Sequence, residues 1–185
     1  MSYKKKISYT IINYLIGSSD YGIFENDSLM EETKAILLEL LNIIEYGIIT
    51  SSSQPGSEYQ RAYICGYIPK EICGCVTNIK DKDIIISLCS ISTSSDIISS
   101  ITVFNQGDKY KKLSLTAPSS DISALQDQIN STSNLRDFKV NFRYFVIVDL
   151  QWGRQDHIFK VLLNSITHYG VKKKLSRDDV WSDDK

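Results

Sequence analysis

Residues 138–150, with the sequence FKVNFRYFVIVDL, carry the longest strand pattern in the chain. Apolar and polar residues alternate at first, and the second half of the segment is continuously apolar. Alternation is typical of a half-buried strand, and a short continuous apolar run is typical of a strand within a core. The segment therefore predicts a long strand, and a loop with the sequence QWGRQD follows it at residues 151–156.

Shorter strand and helix patterns surround this long strand. Ser28 and Glu31 form a capping-box pattern, which predicts the start of a helix that ends at Gly47. Pro69 is expected to end a strand, because proline cannot donate a ladder hydrogen bond. Strands are predicted at residues 48–50, 61–69 and 83–91, a hairpin over residues 98–118 around Gln106-Gly107-Asp108, and helices at residues 26–47, 70–80, 119–130 and 157–170.

The order of these elements indicates the fold class. Helices lie toward both ends of the chain around a run of strands, without the regular βαβ alternation of a doubly wound sheet. We therefore expect an α+β, or mixed α/β, fold in which helices from both ends pack on a central, mostly antiparallel or mixed sheet. The 185 residues suffice for one domain with a real core. We predict a single globular domain over residues 1–171 and a charged C-terminal tail over residues 172–185.

The composition disfavours two classes of function. The chain carries 21 basic and 22 acidic residues, a net charge of −1, whereas proteins that hold nucleic acid usually show a basic excess. No run approaches the roughly 18 apolar residues that a membrane span needs. The lysines near the N-terminus precede an interrupted apolar run rather than a signal peptide. We therefore expect a cytoplasmic protein that binds neither membranes nor nucleic acid.

No familiar catalytic or cofactor motif occurs in the chain. A phosphate-binding glycine loop, a nucleophile elbow and a zinc-protease motif are all missing from the sequence. Both histidines, His157 and His168, fall in the last predicted helix. Cysteines 65, 73, 75 and 89 lack the paired spacing of a zinc site, so we interpret them as reduced and buried or incidental. We expect neither a metal nor a cofactor.

A polar segment at residues 51–61, SSSQPGSEYQR, separates two apolar strand patterns. Its Pro-Gly pair predicts a turn that exposes backbone N–H groups, and Ser53 and Gln54 add side chains that can form hydrogen bonds. Gln60 and Arg61 follow, and the planar Arg61 guanidinium suits a carboxylate or a phosphate. The segment is either a polar connection with Arg61 in solvent or one half of a binding site.

A second segment, DLQWGR at residues 149–154, combines rare residue types. Asp149 lies where the apolar strand is predicted to end, which is where α/β sheets place functional groups. Trp152 can stack on a planar ligand, and Arg154 can pair with an acidic group of that ligand. Alternatively, Trp152 is a core residue and Asp149 forms a structural ion pair with Arg154.

Together the two segments predict a cleft between two strand ends. We expect it to bind a small polar or anionic planar ligand, such as a nucleotide, a metabolite, a modified amino-acid group or a short peptide. One alternative is a hydrolase or transferase in which Asp149 is the catalytic base and Arg61 and Arg154 hold the substrate. The other is a protein-interaction module without a pocket. The expected ligand-binding residues are Ser53, Gln54, Gly56, Gln60, Arg61, Asp149, Trp152, Gly153 and Arg154.

Three short motifs within these segments, SQPG, QRAYICGY and DLQWGR, resemble the motif set of an uncharacterised family of bacteria and large amoeba-infecting DNA viruses. The many isoleucines and lysines are typical of an AT-rich gene, which agrees with such a source. The resemblance spans residues 31–166 and implies no activity. It draws attention to the residues named above and to Pro55 and Gly66, and it is compatible with a viral accessory factor in the host cytoplasm.

Overall fold

The computed structural model describes residues 3–19, 22–24, 31–91, 99–129 and 131–169. The α-helices are α1 (Tyr3–Leu15), α2 (Glu31–Lys34), α3 (Leu37–Glu45), α4 (Cys73–Thr77), α5 (Ser119–Ile129), α6 (Thr132–Asn141) and α7 (His157–His168), and a 3₁₀ turn at Lys70–Ile72 leads into α4. The strands are β1 (Ile49–Gln54), β2 (Arg61–Pro69), β3 (Ile84–Cys89), β4 (Ser100–Gln106), β5 (Lys109–Ser114) and β6 (Phe142–Trp152).

The strands form a four-stranded sheet, in the order β1-β2-β6-β3, and a separate β4-β5 hairpin. All of the pairings are antiparallel. β6 lies between β2 and β3, and its residues from Tyr144 to Asp149 are buried. These features confirm a mixed α+β fold with a single domain, and they explain the continuously apolar second half of the longest strand pattern.

The two faces of the sheet differ in chemistry. Cross-strand neighbours lie on the same face, so the antiparallel register places Ile64, Ile147 and Ile86 side by side on one face. Helix α7 contacts β2 and β6, and α3 contacts β1 and α7. On the opposite face the register places Cys65 beside Ser52, and Tyr67 beside Tyr144. The sheet therefore has one largely apolar face, which also carries Ser53 and Asp149, and one face that carries several hydroxyl and thiol groups.

Most of the predicted elements are confirmed. β2 ends at Pro69, a two-residue turn joins β4 to β5, and α5 and α7 occupy the predicted segments. Gly47 ends α3 with a φ of 82° and donates a hydrogen bond to the carbonyl of Ile44 at 2.9 Å. The predicted helix over residues 26–47 divides into α2 and α3, and the Ser28 cap lies outside the described residues.

Three boundaries were predicted wrongly. Residues 138–141 belong to α6 rather than to the long strand, because Leu135 and Phe138 have the helical i, i+3 spacing and are both buried. β1 extends beyond residue 50 through the serines, since they pair with β2 as far as Gln54 opposite Tyr63. Asp149 lies within β6, before its end at Trp152.

Candidate functional site

The two predicted site segments meet at one end of the sheet. β2 and β6 are neighbours, and Arg61 lies opposite Trp152. The Gly56 N–H donates to the Gln155 carbonyl at 3.1 Å, and the Gly153 N–H donates to the Ser57 carbonyl at 2.9 Å. The structure thus brings the segments together into what we call the strand-end cluster, formed by Gly56, Gln60, Arg61, Asp149, Trp152, Gly153 and Arg154.

Glycines permit the close contact between the two turns. A Cβ on Gly56 would lie 2.3 Å from the carbonyl oxygen of Arg154, so any larger residue would force the turns apart. Gly153 has a φ of 81°, in the left-handed region that other residues rarely adopt. The Pro-Gly and Trp-Gly-Arg turns are therefore shaped to fit each other.

The Arg61 side chain binds groups of the protein itself. Its Nε donates to the Leu150 carbonyl at 3.1 Å, and its Nη1 donates to the Thr102 carbonyl at 3.0 Å. Its guanidinium carbon lies 4.6 Å from the ring centroid of Trp152, a cation–π contact. Arg61 therefore connects three strands, while Trp152 remains 38% exposed and is not a core residue.

Asp149 and Arg154 form an ion pair. Asp149 is fully buried, and its Oδ1 accepts hydrogen bonds from Arg154 Nη2 and from the Gln151 N–H at 2.9 Å. The hydrogen bond to Asp149 raises the pKa of Arg154, with further help from Asp83, whose Oδ2 lies 3.9 Å from Arg154 Nη1. Within the described residues, Asp149 Oδ2 and Arg154 Nε are buried without a hydrogen-bond partner.

The remaining predicted residues are more dispersed. Gln60, at the edge of the strand-end cluster, forms bridges with Ser57 and with Phe104 of β4. Ser53 and Gln54 belong to β1, where they pair with Ile64 and Tyr63. Ser53 lines a small cavity of about 40 Å³ on the α1 side of β1, together with Ile11, Tyr14, Leu15, residues 22–24, Thr33 and residues 50–52.

A larger cavity, which we call the sheet cavity, lies over the polar face of the sheet. It has a volume of about 190 Å³ and is partly open to solvent. Its walls come from the sheet, from β5 and the segment after it, and from the first turn of α5. The lining residues are Phe24, Ser51, Ser52, Cys65, Leu113, Ser114, Pro118, Asp121 and Tyr144.

A β-bulge brings two adjacent serines to this cavity. Thr50 pairs with Gly66 and Ser52 pairs with Cys65, so Ser51 is an additional residue on β1. A Cβ on Gly66 would lie 2.0 Å from the Ile49 carbonyl oxygen, so the bulge needs a glycine at this position. Without the bulge the two serines would point to opposite faces of the sheet.

The polar groups of the sheet cavity are linked by hydrogen bonds. The Tyr67 hydroxyl donates to Asp121 Oδ2 at 3.3 Å. Burial raises the pKa of Asp121, although hydrogen bonds from Ser51 and Tyr67 oppose this shift. Burial also raises the pKa of the Cys65 thiol, so it is neutral at physiological pH and is not an activated nucleophile.

Sequence reasoning missed Cys65, Asp121 and Tyr144 as possible binding residues. Tyr63, Cys65 and Tyr67 alternate with apolar residues along β2, and this period of two was the available signal for a polar sheet face. Asp121 had no such signal, because an acidic residue in a first helical turn is an ordinary capping feature.

The described residues contain neither a metal-binding cluster nor a helix that could span a membrane. In the described ranges no group of at least three His, Cys, Asp or Glu side chains is arranged to hold a metal ion. None of the helices that the structure describes has the length and apolar character to span a membrane. His157 Nε2 donates a hydrogen bond to Asp81 Oδ2 at 2.9 Å, and this bond lowers the pKa of Asp81.

Comparison with known proteins places the chain in a family. A comparison with curated proteins finds no match. A family model described as "domain of unknown function (DUF6919)" matches residues 5–169, which include every described helix and strand except the first residues of α1. The chain therefore belongs to the DUF6919 family of domains of unknown function.

Proposed function

We propose that the protein binds a small polar molecule in the sheet cavity. The observation that carries this proposal is a partly open cavity of about 190 Å³ whose wall combines three serine hydroxyls, a thiol, a phenol and a carboxyl group. Binding sites for small molecules are typically concave, with apolar walls and a few convergent polar groups. Phe24, Leu113 and Pro118 supply the apolar part of this wall.

The size of the cavity limits the ligand. An apolar protein cavity of about 150 Å³ holds one benzene molecule, so the sheet cavity has room for a ligand of roughly that size or slightly larger. Four of the six polar groups lie on β1, β2 and β6, which pair through antiparallel hydrogen-bond ladders, whereas Ser114 lies on β5 and Asp121 on α5. A ligand would therefore meet a largely preformed site, which lowers the entropic cost of binding.

A cavity-filling variant tests the proposal. We expect a fragment collection, screened by ligand-observed NMR, to yield binders whose signals are lost with Ser52→Leu, because the added methyl groups occupy the cavity. Ser100→Leu is the matched control, since Ser100 is exposed on β4 outside the cavity. Binding that is equally strong in both variants, or a complete absence of binders, would contradict the proposal.

The strand-end cluster supports a second candidate, a site for an anionic planar ligand. Trp152 is partly exposed, and the guanidinium groups of Arg61 and Arg154 lie nearby. Both arginines already bind groups of the protein, so a ligand would have to share them. In this case nucleoside phosphates would raise the melting temperature of the native chain and of Ser52→Leu, but not of Trp152→Leu.

The other functional predictions stay predictions. A hydrolase or transferase that uses Asp149 gains some support from the unpartnered Oδ2, yet this carboxylate is fully buried. Loss of activity in Asp149→Asn at unchanged stability would favour the enzyme. Two further hypotheses stay predictions. One is a protein-interaction module without a pocket, and the other is a viral accessory factor in the host cytoplasm that binds neither membranes nor nucleic acid.

A further inference from the structure

We infer that the ligand of the sheet cavity is a small organic cation, with a protonated amine, guanidinium or amidinium group that binds the Asp121 carboxylate. This inference rests on the proposed function, and it adds the chemical class of the ligand. It differs in charge from the anionic ligand that is the second candidate at the strand-end cluster.

The charge of the cavity wall favours a cation. Among the described residues that line the cavity, Asp121 is the one acidic residue, and none is a lysine, an arginine or a histidine. The thiol and phenol that line it stay neutral, because burial raises the pKa of both Cys65 and Tyr144. An anionic ligand would meet a carboxylate with no lining cation to offset it.

Asp121 also lacks a cationic partner within the described part of the chain. Asp121 accepts hydrogen bonds from the hydroxyl groups of Tyr67 and Ser51, and no lysine or arginine of the described residues forms an ion pair with it. A carboxylate has about four lone-pair positions, so two hydrogen bonds leave capacity for a ligand. A half-buried carboxylate without a counter-ion is costly, and a bound cation would remove that cost.

The position of Asp121 in α5 helps to keep the carboxylate ionised. It lies in the first turn of the helix, where unpaired N–H groups and the helix dipole favour negative charge. This effect opposes the burial that raises its pKa. The fold thus places an acidic group beside a cavity, and the helix N-terminus and two hydroxyl groups partly offset the burial that disfavours its charged form.

The other lining groups suit a cation with a flat or apolar body. Phe24 and Tyr144 line the cavity with aromatic rings, whose faces attract cations. The Ser51 and Ser52 hydroxyls can accept hydrogen bonds from the N–H groups of an amine or an amidine. Leu113 and Pro118 provide apolar contact for the rest of the ligand.

Three probes of similar shape separate charge from size. Benzamidine, benzamide and benzoate share one ring and differ in their charge, and each is small enough for a cavity of about 190 Å³. By isothermal titration calorimetry at low ionic strength we expect benzamidine to bind about tenfold more tightly than benzamide, which corresponds to one charge-assisted contact. We expect benzoate to bind more weakly than benzamide.

A pair of isosteric variants on one helix assigns the effect. Asp121→Asn should weaken benzamidine binding about tenfold and change benzamide binding less than twofold. Asp127→Asn is the matched control, because Asp127 is exposed on the same helix. Ser52→Leu should abolish binding of benzamidine and benzamide alike.

Several outcomes would overturn the inference. If benzamide or benzoate binds as tightly as benzamidine and Ser52→Leu abolishes that binding, the proposed function stands and the cationic ligand is wrong. The proposed function also stands, and the cationic ligand is also wrong, if other fragments occupy the cavity and none of the three probes binds. If Asp121→Asn and Asp127→Asn affect benzamidine equally, Asp121 does not recognise the cation. If no molecule binds in a manner that depends on Ser52, both proposals fail.

Discussion

Gly66 shapes the sheet cavity although it contributes no side chain to the wall. The Ile49 carbonyl oxygen and the Ser51 nitrogen lie 2.0 Å and 2.9 Å from the position of a Cβ at Gly66. Only glycine lets β1 approach β2 so closely, and this approach accompanies the bulge that adds Ser51 to the cavity. The backbone at one residue thus determines which side chains reach the site.

Gly66→Ala should therefore lower the free energy of unfolding by about 3 kcal/mol, because the strands must separate to admit the methyl group. Gly107→Ala is a suitable comparison. Gly107 has a φ of 60° and no atom near its Cβ position, so the alanine adds backbone strain of about 1 kcal/mol without a clash. Urea denaturation measures the free energy of unfolding of both variants. Equal losses would show that the close contact at Gly66 costs nothing beyond backbone strain.

Asp121 should make stability depend on pH. Its pKa is raised in the folded protein, mainly by burial, so the folded state binds more protons than the unfolded chain above the ordinary carboxyl pKa of about 3.9. Its contribution to stability therefore falls as pH rises, until the raised pKa is passed. Cys65, Tyr67 and Tyr144 do not titrate in this acidic range, because their ordinary pKa values are alkaline and burial raises them further.

Asp121→Asn removes this dependence. Relative to the native chain, the variant should gain stability between about pH 4 and the raised pKa and keep a constant advantage above it. Chemical denaturation at a series of pH values measures the difference, and Asp127→Asn, which changes an exposed carboxylate, should show no such gain. A stability difference that does not vary with pH would mean that Asp121 has no raised pKa.

At the scale of the elements, local sequence patterns predict the hairpin and α7 but not every boundary. Two of the signals are local: the Gly-Asp turn between β4 and β5, and the helical spacing of the apolar residues Ile158, Leu162 and Ile166. The strand character of Ser52 and Ser53 is not local, because their pairing with β2 decides it. Pairing with β2, which contains most of the segment QRAYICGY, therefore extends β1 beyond its apolar residues.

Polar contacts and apolar packing both attach the β4-β5 hairpin to the rest of the protein. Arg61 reaches the Thr102 carbonyl, the Asn105 N–H donates to the Tyr59 carbonyl at 3.0 Å, and Lys111 Nζ donates to the Tyr63 hydroxyl at 3.1 Å. Val103 is the buried residue of β4. The polar contacts therefore add to the burial of Val103 in holding one wall of the sheet cavity.

We expect Arg61→Met to loosen this attachment. The variant keeps an apolar stem and loses two charge-assisted hydrogen bonds, which should cost about 2 kcal/mol and speed hydrogen exchange of the β4 and β5 amides. Lys112→Met removes an exposed cation of the hairpin and should leave both quantities nearly unchanged. Unaltered exchange in Arg61→Met would show that other contacts hold the hairpin.

At the scale of the molecule, the fold class is predictable and the sheet cavity is not. Strand and helix patterns are local, and they suffice for an α+β assignment. The cavity combines Ser51, Cys65, Asp121 and Tyr144, which come from separate parts of the chain. Their meeting depends on the strand order β1-β2-β6-β3, in which β6 enters between β2 and β3, and no short sequence pattern encodes this order.

In this strand order the first half of the chain needs β6, from the second half, to complete the sheet. Without β6, β2 and β3 have no common neighbour, and the core loses Val146, Ile147 and Val148. A chain that ends at residue 141 should therefore show no cooperative thermal transition by circular dichroism. A chain that ends at residue 171, the predicted domain boundary, should melt within about 3 °C of the full chain. A cooperative transition in the shorter chain would mean that the other elements form a core without β6. A large loss of stability in the longer one would place the domain boundary beyond residue 171.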